Sequence, residues 1–385
     1  MNEPTPQQQP TVSPIDGRLD TIVIGGGQAG LAVGYHLAKH GQRFVILDAN
    51  QRIGDGWRLR WDSLLLFTPA RINGLPGMRF PAPSGSFVTK DAMADYLEAY
   101  AARFSLPVRT GVAVERLSRR GDRFVVTAGG VELEADNVVV AMSNHQVPRL
   151  PAFADELDPR ITQLHSKDYR NPSQLRAGPV LVVGVGNSGA DIAIELAAGR
   201  PTSLAGQESG HIPFRIERFF ARHVLTRMVR FVGHRVLTIR TPIGRKLRPK
   251  LLTVAAPLVR VKPKDLLAAG IERVPRAVGV RDGLPELEDG RLLDVTNVVW
   301  CTGFRPGFSW IDLPVLGEHQ EPQHEAGVVP TEPGLYFVGL HFLYAMTSDT
   351  ITGVSRDAAR IAGHVVSRSA QRTAAPDALV TAPAA

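Results

Sequence analysis

Apolar positions along the chain fall into two alternating patterns, short unbroken runs and longer sets spaced at three and four. Thr21-Ile-Val-Ile24 is a run of the length expected for a strand buried on both faces. The glycine-rich stretch Gly25-Gly-Gly-Gln-Ala-Gly30 follows it. Leu31, Val33 and Leu37 then recur at helical spacing beside Ala29 and Ala32, and Gly41 supplies a stop. Phe44-Val-Ile-Leu-Asp48 reads as the next strand. The same order returns later. Pro179-Val-Leu-Val-Val183 leads into Gly184-Val-Gly-Asn-Ser-Gly189, then a helical stretch over 190–197 ended by Gly199, then a strand at 202–205.

A second echo strengthens the first. Asn137-Val-Val-Val-Ala-Met-Ser143 resembles Asn297-Val-Val-Trp-Cys-Thr-Gly303, and Gly25 to Asn137 spans 112 positions where Gly184 to Asn297 spans 113. Two folds of similar size therefore lie in tandem. The predicted class is α/β, with two Rossmann-like dinucleotide-binding domains. Gly334-Leu-Tyr-Phe-Val-Gly-Leu340 predicts one more strand, and a helix is expected from about Asp349 to Val366. Neither has a place in the second fold, which already closes near Gly303. They are expected to return to the first, so that the second domain is inserted into a discontinuous first one. The predicted boundaries are 19–150 and 301–366 for the first domain and 151–300 for the second. Flexible tails are expected at 1–18 and 367–385, which are rich in Pro and Gln, and in Ala, Thr and Pro.

In a glycine turn of this kind the first glycine permits the bend. The second lets a pyrophosphate approach the backbone, and the third lets helix pack on strand. The helix N-terminus then favours the negative charge. Asp48 stands 23 residues after Gly25, where an acid accepts bonds from a ribose; Gln207 stands 23 after Gly184. Two such folds imply two dinucleotides, most simply a flavin that accepts hydride from a nicotinamide. The first fold is accordingly assigned FAD, through Gly25, Gly27, Gln28, Ala29, Gly30 and Asp48, with Trp57 covering one side of the flavin region. The second is assigned the nicotinamide cofactor, through Gly184, Gly186, Asn187, Ser188, Gly189 and Gln207. Asn187 and Ser188 are expected to offer donors to its pyrophosphate. A neutral Gln207 does not repel a 2′-phosphate, and Arg215 or Arg218 is expected to reach it. NADPH is thus expected over NADH.

Composition narrows the chemistry further. The chain has 385 residues and a single cysteine, Cys301, so no internal disulfide, CxxC redox pair or thiolate-rich zinc site is available. Cys301 reads as a small buried apolar residue. His211, His223 and His234 lack metal-ligand spacing and neighbouring carboxylates, and no metal is expected. No apolar run is long enough to span a bilayer and no secretory h-region opens the chain, which points to the cytoplasm. Net charge is +7, yet 211–264 alone carries +13, leaving −6 for the remainder. A basic segment on an acidic body, without a nucleic-acid motif, argues against a nucleic-acid partner. With Arg218, Arg222 and Arg230 on one helical face and Phe219, Val224, Met228 and Phe231 opposite, it fits an amphipathic helix packed on the body. It equally fits a lid over a substrate channel, a membrane-surface helix or a homodimer contact.

The order of the glycine turns, Gly54-Asp-Gly-Trp57, His165-Ser-Lys-Asp-Tyr169, Asp191 and Cys301-Thr-Gly-Phe304 resembles the class B flavin-containing monooxygenases. Trp61-Asp-Ser-Leu-Leu-Leu-Phe-Thr-Pro69, Gly74-Leu-Pro76 and Phe80-Pro81 look most like the plant auxin-forming branch and its bacterial relatives. The family fingerprint matches in its second half, 165–169; its Phe and Gly positions are Pro159 and Ile161 here. Tyr169 in place of Trp argues against the ketone-oxygenating branch. The resemblance implies an NAD(P)H- and FAD-dependent monooxygenase that puts one atom of O2 into a small organic substrate through a C4a-hydroperoxyflavin. The flavin carries that chemistry, so no residue is nominated as nucleophile or general base. His165 is expected either to respond to nicotinamide binding or to be a hinge histidine satisfied by backbone bonds. Two other readings remain: a flavoprotein reductase passing electrons to a quinone, metal or protein, and a non-enzymatic flavin-binding redox sensor.

Overall fold

The computed structural model describes residues 19–207, 210–253, 256–318 and 320–374. The chain builds two sheets from the two repeats. In the first, seven strands take part. Leu19–Ile24 lies at the centre, parallel to Phe44–Leu47 on one side and to the second half of Val131–Val140 on the other. The first half of that long strand turns to an antiparallel meander with Arg123–Ala128. Leu335–Phe337 then pairs in parallel with its end, Val138 to Val140. The chain thus leaves the first sheet, builds the second lobe and returns.

The second sheet has five strands, all parallel, in the order Thr162–His165, Asn297–Trp300, Val180–Val183, Thr202–Ala205, Glu272–Val274. The repeated asparagines occupy matching positions. Asn137 sits opposite Thr21 and Asn297 opposite Val180 at the start of each central strand pair. Both are fully buried, and their amides donate to Asp20 O at 3.1 Å and to Arg176 O at 3.0 Å. A buried amide at the entry of a parallel strand closes backbone carbonyls that the ladder leaves open. The lobes are stitched where the chain crosses between them, by Val147–Pro148 running antiparallel to Phe304–Arg305.

The helix Gln28–Lys39 and the C-terminal helix Ile351–Ala374 lie on one face of the first sheet. Leu31, Val33 and Leu37 are buried there with Val354, Ile361 and Val365. This last helix corrects the expected tail, since it runs eight residues past Val366. No proline interrupts it before Pro376. Arg372, in its last turn, pairs with Asp122 and lies 3.4 Å from Asp136 of the first sheet. Residues 1–18 and 375–385 lie outside the described part.

Of the readings open for the basic segment, a helix packed on the body through its large apolar face is the one the structure does not bear out. A continuous helical run covers Ala221–Leu225, Thr226–Phe231 and Val232–Val236, and a second helix covers Pro242–Thr253. The face expected to pack on the body is turned outward: Phe219 is 79% and Phe231 62% exposed. Arg222, expected on the polar face, instead lies over the Phe87 ring at 5.5 Å. The inward side carries Ala221 and Gly233, both buried. A Cβ on Gly233 would meet Met346 Cε at 2.7 Å. Small residues let the backbone approach the body, and the large apolar side chains have no room beneath it.

Candidate functional site

Both glycine turns fall where a doubly wound sheet binds ligands, beyond the C-terminal ends of parallel strands. Their geometries are nearly superimposable in kind. Gly25 and Gly184 have φ of +108° and +114°, a conformation that L side chains avoid. A Cβ on Gly30 would lie 1.8 Å from Gly25 O, and one on Gly189 would lie 1.9 Å from Gly184 O. These four glycines are demanded by the chain's own packing. The middle pair is different. A Cβ on Gly27 or on Gly186 would meet no atom within 4 Å.

Gly27 and Gly186 are also the N-caps of Gln28–Lys39 and Asn187–Ala197, and neither helix has a side-chain cap or an acid in its first turn. The first N–H groups of each helix therefore face an open space with the positive end of the helix dipole behind them. A cradle that the fold leaves empty, walled by backbone donors, suits the pyrophosphate of a dinucleotide. Both turns have the room and the backbone donors that a pyrophosphate needs.

Asp48 is buried, and its carboxylate points back at the first turn. Oδ2 accepts the Gly26 N–H at 2.6 Å, and Oδ1 accepts the backbone and side-chain N–H of Asn50, each at 2.8 Å. It thus fixes the turn from the side on which a ribose would lie. Trp57 comes from the short helix Asp55–Arg58, and its Nε1 reaches Gln28 Oε1 at 3.4 Å. A Cβ on Gly339, just past Leu335–Phe337, would lie 3.2 Å from Ala29 Cβ. Trp57 and Gly339 therefore both border the first cradle.

The second turn departs from expectation at Asn187. Its Oδ1 accepts Val259 N–H at 2.9 Å and its Nδ2 donates to Pro257 O at 3.1 Å. The side chain anchors the end of the basic segment, so only the backbone N–H remains for a pyrophosphate. Ser188 lies half-buried beside it. Asp191, one turn on, lies 4.0 Å from Arg260, and burial pushes its carboxyl up to about 6.

Gln207 is exposed and lines a recess of about 230 Å³ with Gly206, Pro275, Arg276 and Glu288. Neither arginine expected there lines it. Arg215 is paired with Asp265 at 2.5 Å. The recess has its cation in Arg276, 69 residues after Gln207, which no local sequence signal identifies. Glu208 lies outside the described residues.

Between the lobes, the Phe304 ring meets His165 edge-on at 5.0 Å and His145 at 5.5 Å, with the Arg60 guanidinium 5.9 Å away. His165 Nε2 lies 3.0 Å from Gly303 O, so it donates; Nδ1 accepts Lys167 N–H at 3.1 Å. Both ring nitrogens are satisfied in one neutral tautomer, and burial lowers the imidazole below its usual range. His165 is thus held by backbone bonds and is not poised as a base. Tyr169 is buried and donates to Glu195 at 2.7 Å, tying this linker to the second lobe. Cys301 is similarly inert, since burial pushes its thiol up to about 12. No group of metal-ligating side chains occurs among the described residues.

Sequence reading missed one polar pair just past the strand Leu335–Phe337. His341 Nδ1 lies 2.8 Å from Asp349 Oδ2, and Nε2 lies 3.2 Å from Leu251 O. With an acceptor at each nitrogen, chiefly the Asp349 carboxylate, the imidazole is raised above its usual range. Its position after Gly339, beyond the strand end, is the one signal that marked it.

A family model described as pyridine nucleotide-disulphide oxidoreductase matches residues 22–207. A CzcO-like uncharacterized oxidoreductase of Geobacillus kaustophilus is 38% identical over 342 residues, covering 88% of this chain and 96% of that protein. The indole-3-pyruvate monooxygenase YUCCA1 of Oryza sativa subsp. japonica is 27% identical, covering 80% of this chain and 82% of its own. A solved flavin-containing monooxygenase from Stenotrophomonas maltophilia superposes with a TM-score of 0.72 at 28% identity, over 91% of this chain and 99% of that one. With two dinucleotide cradles and no second cysteine for dithiol chemistry, this chain is an NAD(P)H- and FAD-dependent oxidoreductase, and it belongs to the class B flavin monooxygenase-like proteins together with the bacterial CzcO-like oxidoreductases.

Proposed function

We propose that this chain is a monooxygenase that consumes NADPH and O2 to place one oxygen atom in a small organic substrate. The observation that carries this reading is the pair of open glycine cradles, one in each lobe, with the lobes joined where Val147–Pro148 pairs with Phe304–Arg305. The arrangement suits hydride passage from one bound dinucleotide to another, and the similarity to monooxygenases supplies the oxygen half of the reaction. Bound FAD supplies hydride acceptance and oxygen activation. The chain's own part is to bind and orient. The N–H groups after Gly27 and Gly186 hold the two pyrophosphates. Asp48 fixes the first turn, and the Phe304 cluster keeps the two lobes in register. No side chain is needed as a nucleophile.

The test is turnover under 18O2 across a panel of small organic acids, amines and sulfides. One labelled atom per product, with NADPH consumed in equal amount, is the expected result. Peroxide equal to all NADPH oxidised, whatever substrate is offered, would replace this reading with a reductase.

The NADPH preference rests on Arg276 beside Gln207. A guanidinium pairs with a 2′-phosphate and has no counterpart on NADH. Arg276→Ala is expected to raise KM for NADPH about tenfold while leaving that for NADH unchanged. Equal changes for both cofactors would remove Arg276 from this role.

A further inference from the structure

Large apolar side chains are unusually exposed in one place. Nine of the fifteen exposed large hydrophobics among the described residues lie between Phe219 and Leu252. Phe220, Val224, Met228 and Phe231 follow one another at four, four and three, so they share one face of the helical run, and each is more than 45% exposed. The opposite side faces the body. Gly233 approaches Met346, Arg71 bonds Thr226 at 3.0 Å, and Ile239 and Leu237 join Tyr344 and Met346 by backbone bonds at 2.9 and 3.0 Å. The orientation is therefore fixed by inward contacts, with the apolar face left in water. Monomeric surfaces rarely keep such a stripe unpartnered.

The charge around the stripe identifies its partner. From Arg218 to Lys264 the chain has thirteen Lys and Arg and no acid. Arg227, Arg230, Arg235 and Arg240 are exposed beside the stripe. A two-fold contact between copies of this chain would set that cationic face against itself, which opposes association. A nucleic acid would match the charge but leave the phenylalanines wet. An anionic lipid surface matches both, since acyl chains receive the apolar residues while headgroups meet the arginines. No helix of the described residues is long and apolar enough to cross a membrane, so the contact lies in the interface plane.

We propose that the helical run 219–236, with the helix Pro242–Thr253 beside it, docks the protein on anionic membrane surfaces.

The experiment is flotation of the flavin-loaded protein with vesicles of phosphatidylcholine alone and of phosphatidylcholine mixed with phosphatidylglycerol, at low and high salt. Binding is expected only to the mixed vesicles and is expected to weaken with salt. Each exposed arginine removed is expected to lower partitioning about fivefold, so Arg227→Gln, Arg230→Gln and Arg235→Gln together lower it about a hundredfold. Phe220→Ser, Met228→Ser and Phe231→Ser together are expected to abolish it. These side chains are exposed, so flavin absorbance and melting temperature report an unchanged fold. Failure of the parent protein to float with the mixed vesicles would overturn the proposal. So would equal binding to phosphatidylcholine alone, or unchanged binding by either variant. A dimer in solution that the serine variant dissociates would assign the stripe to a second copy instead.

Discussion

Gly27→Glu is expected to give a folded but colourless protein. A Cβ at Gly27 meets nothing within 4 Å, so a side chain can leave the backbone there without a clash. That empty volume is where the flavin pyrophosphate would sit, against the uncapped start of Gln28–Lys39. A carboxylate there competes for the same N–H groups and repels the phosphates. Losing even two charge-assisted hydrogen bonds weakens binding by at least about a hundredfold, roughly 3 kcal/mol. Gly30→Ala provides the contrast. Its Cβ would stand 1.8 Å from Gly25 O, so helix and strand could not close on each other, and little folded protein is expected. The readouts are flavin absorbance after desalting, and a melting temperature compared with parent protein stripped of flavin, because bound cofactor itself raises the parent's value. A Gly27→Glu protein that keeps its full yellow colour would remove FAD from the first cradle.

Much of this architecture was legible because it is local. Strand, glycine turn and helix follow one another within about thirty residues, and the apolar pattern changes from an unbroken run to helical spacing where the glycines stand. The Asn137 and Asn297 echo was legible for the same reason, since each asparagine opens a strand at a fixed distance from its turn. The features that sequence missed depend on contacts between distant residues. Arg276 reaches the recess beside Gln207 only because Glu272–Val274 pairs with Thr202–Ala205. His341 meets Asp349 and Leu251 through a loop and a helix from opposite lobes of the sequence. The amide of Asn187 carried the right chemistry for a phosphate, but Pro257 and Val259 claim it. The outward apolar face of 219–236 breaks the usual rule that such a face packs on the body, and amphipathic spacing alone gives no direction.

Gly186→Glu is expected to keep its flavin and lose its reduction by NADPH. The second turn repeats the first in every respect that matters to the substitution. A Cβ on Gly186 meets nothing within 4 Å, and the helix Asn187–Ala197 starts uncapped behind it. The Asn187 side chain is held by Pro257 and Val259, so backbone N–H groups would provide most of the contact to a pyrophosphate bound here. A glutamate would then remove most of what holds the proposed nicotinamide cofactor. The expected loss in the apparent second-order rate of flavin reduction is at least about a hundredfold, roughly 2.7 kcal/mol. Dithionite, which needs no binding site, is expected to reduce the variant's flavin at the parent rate. Rapid-mixing absorbance under argon measures both. The two glutamate variants also separate the cradles. If Gly186→Glu lost the flavin while Gly27→Glu lost only NADPH reduction, the cofactors would have to exchange lobes. If Gly186→Glu were reduced by NADPH as fast as the parent, hydride would have to enter by a route that leaves the second cradle empty.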